Sequence, residues 1–264
     1  MFTLKKHYYI LAIIFFALTM THGLSFASDK SYSFSVPPFP PFNGIDEFTQ
    51  CKGIGALAVE KVTTKLKEDF NVIGFPYARM LNSLKTGQLD VALLFKNNTV
   101  IEDVEYIGPI SISKVLIITQ PNINIKHYND LYQLDSIAVI RNAQFNKQFD
   151  QDSKLNKVNV TSYSQAVRLF KLSRINAIVG SQVGLEYALY QENIEDDLVN
   201  DALVNDELMD NAYFLGNKES GLHISKKSTL IDILPLIRVA VDEAYQENLF
   251  EQLYSQQMTQ CAAL

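Results

Sequence analysis

Side chains able to do covalent or metal chemistry are few in this sequence and poorly spaced for it. Downstream of residue 27 there are two cysteines, Cys51 and Cys261, and two histidines, His127 and His223. They do not show the close separations that zinc ligand sets use, so no metal is expected. In "GSQVG" (180–184) the serine is misplaced for a nucleophile elbow. A phosphate-binding glycine loop, an HExxH pair and a dinucleotide fingerprint are also missing. Both histidines fall in or beside segments that join larger elements and are expected to be exposed. Glu60 and Glu105 could serve a cleft as general acids, yet each reads more simply as a solvent-facing residue. The chain thus points to non-covalent recognition without a cofactor, with an enzyme as the lesser alternative. Two arginines are candidates for holding negative charge. Arg79 lies in the first turn of a predicted helix. Arg141 precedes a predicted helix start at Asn142, where free N–H groups and the helix dipole favour an anion.

The elements that would position these residues alternate between strand and helix. Ile54, Leu57, Ala58, Val62, Leu66 and Phe70 recur at helical spacing. "NVIGF" (71–75) reads as a short strand, Pro76 opens a second helix and Gly87 closes it. "LDVALLF" (89–95) is a near-continuous apolar run, as in a buried strand of a parallel sheet. The unit recurs: Ser164 can cap a helix bearing Val167 and Phe170, and "INAIVG" (175–180) follows as a strand. "SKVLIITQ" (113–120) and "AYFLGNKESGLHISKK" (212–227) read as crossing segments. A helical stretch from Ile231 to about Gln257, broken near Gln246, ends the pattern. The expected fold is α/β: two lobes, each a mostly parallel sheet flanked by helices, joined by a two-segment hinge. The boundaries are 28–118 for the first part of lobe 1, 119–213 for lobe 2 and 214–264 for the return to lobe 1.

Residues 1–27 read as a cleaved signal peptide. Lys5 and Lys6 precede an apolar run from Ile10 to Met20, and Ser25-Phe26-Ala27 supplies small residues for cleavage. A run of about 11 to 14 apolar residues is short of the roughly 20 that span a bilayer. The expected location is the periplasm, and the sequence shows no later apolar run of spanning length. Cleavage strips two lysines from a chain whose formal net charge is already −6. Nucleic acid and anionic membranes are poor partners for such a surface. In an oxidising compartment Cys51 and Cys261 can bridge, tying the C-terminal tail to the first lobe, or remain two thiols. The acidic stretch 193–213 lacks the acid spacing of a calcium loop and reads as solvated surface.

This order of features resembles the periplasmic solute-binding proteins of the polar amino-acid transporter family, family 3 of the type 2 periplasmic-binding fold. The marks are Phe39-Pro40-Pro41-Phe42 with Gly53 after it, "GFPYARMLNSLKTGQLDVALL", "YIGPIS", "IAVIRNAQF" and "HISKKST", spread over residues 30–258. The resemblance implies that Phe39 and Tyr77 are rings on either side of a bound solute, holding it by dispersion or, for a cation, through their faces. It places Phe95, Asn97 and Thr99 on the loop that supplies polar contacts. It also implies two departures. The family's arginine for an α-carboxylate falls at Val100, and "NNTVIEDVEY" (97–106) contains neither Arg nor Lys. The family's aspartate for an α-ammonium falls at Ser181. A free α-amino acid would then bury charges without partners, at heavy cost.

The resemblance therefore implies an exported monomer that captures a small polar solute, not a free α-amino acid, for an ABC-type uptake system with a membrane permease. A sensor or interaction protein working with a separate membrane receptor is the main alternative. A dehydratase-like enzyme is a lesser one. If Arg79 and Arg141 face the cleft, the solute is anionic; otherwise it is neutral.

Overall fold

A computed structural model describes residues 31–44, 52–195 and 208–261. The expected leader, Cys51 and the middle of the acidic stretch lie outside these residues. The Cys51–Cys261 bridge therefore falls outside them too.

The strands are β1 Ser31–Ser35, β2 Asp69–Val72, β3 Val91–Phe95, β4 Val104–Thr119, β5 Ile137–Ile140, β6 Lys157–Val160, β7 Ala177–Ser181 and β8 Tyr213–Ser225. The helices are α1 Ile54–Thr64, α2 Tyr77–Thr86, α3 Lys147–Gln151, α4 Tyr163–Lys171, α5 Gln182–Glu195, α6 Leu234–Gln246 and α7 Leu249–Cys261. All eight strands form one sheet in the order β2-β1-β3-β8-β4-β7-β5-β6. Parallel pairing is kept to the flanks, β1 with β3 on one side and β5 with β6 and β7 on the other. Between them the long crossing strands β4 and β8 run antiparallel, with register shifts at Ile107/Ser111 and Val115/Leu116. The expected two-segment crossing is thus a paired ribbon continuous with both flanks.

Local chemistry explains most boundaries. Pro76 precedes α2, and Gly87, left-handed at φ 78°, ends it by donating to the Leu84 carbonyl. The α1 stripe stops early, because Lys67 adopts φ 55°. Phe70 consequently belongs to β2, which covers Asp69–Val72 and not the expected 71–75. The cap of α4 is Ser162, whose side chain accepts the Gln165 N–H, and not Ser164. Asn142 starts no helix. It turns with φ 64°, and α3 begins five residues later at Lys147. Asn248 at φ 51° makes the expected break between the last two helices. Asp90 accepts the Ser33 N–H at 2.8 Å and the Ser228 hydroxyl at 2.6 Å, joining β1 to the turn after β8.

The side chains of Leu93 and Leu94 join different cores, since neighbours on a strand point to opposite faces. One core, including Phe34, Ile54, Val62, Val241 and Phe250, lies under α1, α6 and α7. The other runs unbroken from α2 into the β5–β7 flank, through Phe39, Tyr77, Leu84, Ile137, Phe149 and Phe170. The two flanks are therefore packed onto each other along one side of the ribbon, and the candidate site lies in that seam.

Candidate functional site

The loop after β1 is held by its own carbonyls. Phe42 and Asn43 donate their N–H groups to the Phe39 carbonyl, while Ile54 donates to Pro41 and Gly55 and Ala56 donate to Phe42. The proline loop thereby satisfies the first N–H groups of α1, which a helix start otherwise leaves open. The approach requires glycine at 53: its φ is 101°, and a Cβ there would lie 2.6 Å from the backbone of Phe42 and Asn43. So fixed, the Phe39 ring points into the seam. It meets Phe42 edge-on at 5.9 Å and, from the far flank, Tyr163 at 5.4 Å with an interplanar angle of 85°.

Tyr77, the first residue of α2, is the second predicted ring. It is buried, burial pushes its hydroxyl pKa up, and the hydroxyl bonds to the Asn97 side chain. Asn97 is a junction. Its Oδ1 accepts the N–H and hydroxyl of Thr99, its Nδ2 donates to the Asn142 carbonyl at 3.4 Å, and its own N–H donates to His223 Nε2. The Asn142 bond crosses between the flanks, as does the bond from the Asn98 N–H to Gln144 Oε1 at 2.8 Å.

His223 corrects an expectation. It is not an exposed linker residue; it lies within β8 at 0% exposure, edge-on to Tyr106 at 5.1 Å. Because Nε2 accepts from Asn97, the proton sits on Nδ1, which donates to the Gly221 carbonyl at 3.1 Å. Desolvation pulls its pKa down to about 4, and nearby Lys96 and Lys218 push the same way. His127 is exposed, beside the turn 128–133. Glu60 pairs with Lys52 and Glu105 with Lys226, both partly solvent-exposed.

The seam holds a partly open cavity of about 50 Å³. Phe39, Tyr77 and Phe95 line it from one flank, and Ile140, Phe145 and Tyr163 from the other. The hydroxyl-bearing residues are Tyr77, Tyr163, Ser113, Ser181 and Ser220; no charged side chain is among the lining residues. Four of the predicted site residues therefore meet here: Phe39, Tyr77, Phe95 and Ser181. Val100 is fully buried in the core. Asn97 stands behind Tyr77. Thr99 and Asn142 line an adjoining groove of about 420 Å³, which shares Ala143 and Phe145 with the cavity and is also lined by Lys85, Asp150 and Lys157. Neither arginine lines the cavity. Arg79 is exposed and lies over the Phe75 ring at 5.5 Å, and Arg141 is exposed before the Asn142 turn.

On the far wall the sequence points to Ser181 but not to Ile140, Phe145 or Tyr163. The signal for Tyr163 was present in "GSQVG". Gly180 and Gly184 flank the ring so closely that a Cβ on either would stand 2.4 Å from it.

No family model matches the chain, and no curated protein does. Solved structures do. A mutant of ArgBP from T. maritima superposes with a TM-score of 0.65 at 16% identity, over 87% of this chain and 96% of that one. The VFT2 domain of BvgS from Bordetella pertussis gives 0.65 at 18%, over 86% and 92%. An ancestral amino acid-binding protein, described as a precursor of cyclohexadienyl dehydratase, gives 0.64 at 14%, over 86% and 94%. The sheet with its antiparallel crossing ribbon, the seam between the flanks and these superpositions agree with the resemblance carried by the sequence: the chain has the two-lobed α/β type 2 periplasmic-binding fold.

Proposed function

We propose that this protein is an exported solute-binding protein. It holds a compact, uncharged solute between its lobes and presents it to a membrane permease of an ABC-type uptake system in the periplasm. The observation that supports this most is the lining of the seam: seven aromatic residues and five hydroxyl-bearing ones, two of them tyrosines, surround one space with no charged side chain among them. A free α-amino acid would bring a carboxylate and an ammonium into a site offering neither a counter-charge. Such burial is strongly unfavourable. The exposed placement of Arg79 and Arg141 favours the neutral branch of the expectation over the anionic one. The solute class narrows from polar to uncharged and largely apolar, with hydrogen bonds to hydroxyls.

In this reading the chain passes between lobes near residues 118 and 213, where β4 ends and β8 begins. A Cys51–Cys261 bridge would then fasten the C-terminal helix to lobe 1. Solute drives closure only through its higher affinity for the closed arrangement.

The test is a thermal-melting screen of the protein against small amides, alcohols, sugars, organic acids and amino acids, since a ligand of the folded state raises its stability. Upward shifts are expected with small neutral solutes. A clear shift with a free L-amino acid would sink the reading, and chemical conversion of a hit would indicate a dehydratase-like enzyme.

One observation favours a second reading, a sensor or interaction protein. Phe39 of lobe 1 and Tyr163 of lobe 2 touch directly, and the bonds from Asn97 and Asn98 join the lobes through the chain's own groups. Co-purification with a membrane receptor and no shift with any solute would establish it.

A further inference from the structure

Tyr163 is the first residue of α4 and only 4% exposed. Its ring occupies a slot between Gly180 and Gly184: a Cβ on the first would stand 2.4 Å from Cε1, and one on the second 2.4 Å from Cε2. Neither glycine has the positive φ that would itself call for glycine. What both positions supply is room for the ring. The slot also fixes the ring's far end. The Tyr163 hydroxyl accepts the Ser181 N–H at 3.1 Å, and Ser181 Oγ accepts the Gly184 N–H at 3.2 Å. On its open side the ring meets Phe39 edge-on. Tyr163 is thus pinned by its own lobe and projects across the cleft to the opposite one.

A closed apolar cavity of about 150 Å³ admits benzene, whereas this cleft, which is partly open, offers about 50 Å³. The shortfall is on the order of one aromatic ring. We infer that Tyr163 is the specificity-determining residue of the cleft: it fills the place that a planar ring of a solute would take. Tyr163 thereby restricts the site to uncharged solutes smaller than benzene. The inference rests on the cleft being the solute site.

The experiment measures phenol binding by calorimetry and melting on the whole protein, its Tyr163→Ala and Tyr163→Leu variants, and Gly184→Ala. Wild type should show no melting shift with phenol, while Tyr163→Ala should bind it at least tenfold more tightly than wild type does. Tyr163→Leu retains core packing and should gain phenol binding in the same direction if the alanine variant does not fold. Gly184→Ala puts a methyl group where the ring edge stands, so the ring must leave its seat; the variant should weaken the wild-type solutes at least tenfold, with phenol still excluded. Equal phenol affinity in wild type and both Tyr163 variants would overturn the inference. So would an unchanged solute profile in Gly184→Ala. If wild type takes up no solute, the solute-binding reading fails and the assignment that rests on it fails too, whatever Tyr163→Ala takes up. If wild type binds small solutes and neither Tyr163 variant gains phenol, only the assignment fails.

Discussion

The two walls of the cleft are built by different means. On lobe 1, Phe39 is set by a proline loop whose carbonyls are tied to α1, and Tyr77 by the start of α2 and its bond to Asn97. Backbone turns and side-chain hydrogen bonds place these rings. On lobe 2, Tyr163 is placed by what is missing beside it, the two side chains that Gly180 and Gly184 lack. A wall made by bonding tolerates change on its surface but not at its junctions. A wall made by vacated space is sensitive to a single added methyl group.

The largest effect should come from Phe39→Ala. The resemblance implies a ring that faces the cleft. In the structure Phe39 is 6% exposed and packed against rings on both sides. Truncation should cost about 3–5 kcal/mol, the usual range for a buried Phe, and weaken solute binding as well. Urea unfolding checks the first effect and the melting screen the second. A loss below about 1 kcal/mol, well under that range, would show that the lobe 1 wall is not part of the core.

Acid should loosen the sheet around His223. His223 is neutral in the fold with a pKa near 4, below the usual 6.5, so the unfolded chain binds the extra proton. Its contribution is complete above about pH 6.5 and is lost as pH falls toward 4, by about 3 kcal/mol for a shift of this size. Protonation also turns Nε2 into a donor facing the Asn97 N–H, which breaks the junction behind Tyr77. Unfolding measured at several pH values should show this slope. In His223→Gln the slope should be smaller by about one proton, and an unchanged slope would assign the acid sensitivity to carboxylates.

Tyr163→Phe separates ring from hydroxyl on lobe 2. The ring still fills the slot, but the Ser181 N–H loses its acceptor, at a cost of about 1–3 kcal/mol for an unsatisfied buried donor. Solute size selection should be unchanged. The smallest effects belong to the arginines. Arg79→Ala and Arg141→Ala should each alter stability by less than about 0.5 kcal/mol, as exposed substitutions do, and leave solute affinity unchanged. A tenfold loss of affinity in either would return a charged solute to consideration.

The walls also differ in how far the sequence revealed them. Phe39, Tyr77 and Phe95 are singled out only through the family resemblance, and its marks there, a proline loop, a helix start and an apolar strand, are local in the sequence. The fold was visible for the same reason: the strand–helix units carry their own punctuation at Pro76, Gly87 and the apolar runs. Tyr163 could not be placed this way, since its neighbours lie 17 and 21 residues downstream along the chain and only the fold returns them to it. His223 was misread because a strand crossing between lobes looks like a linker in sequence, yet here it runs through the middle of one sheet. Arg141 was credited with a helix start that the left-handed turn at Asn142 removes.

The cleft rings also have an optical consequence. The chain contains no tryptophan and 13 tyrosines, so its near-ultraviolet emission comes from tyrosine, with no indole to drain the excitation. Tyr77 and Tyr163 stand on opposite sides of the seam, which is the proposed place of a solute. Any molecule that parts or screens these phenols alters the protein's native emission. Occupancy of the cleft can therefore be followed in the unlabelled protein, by its own light.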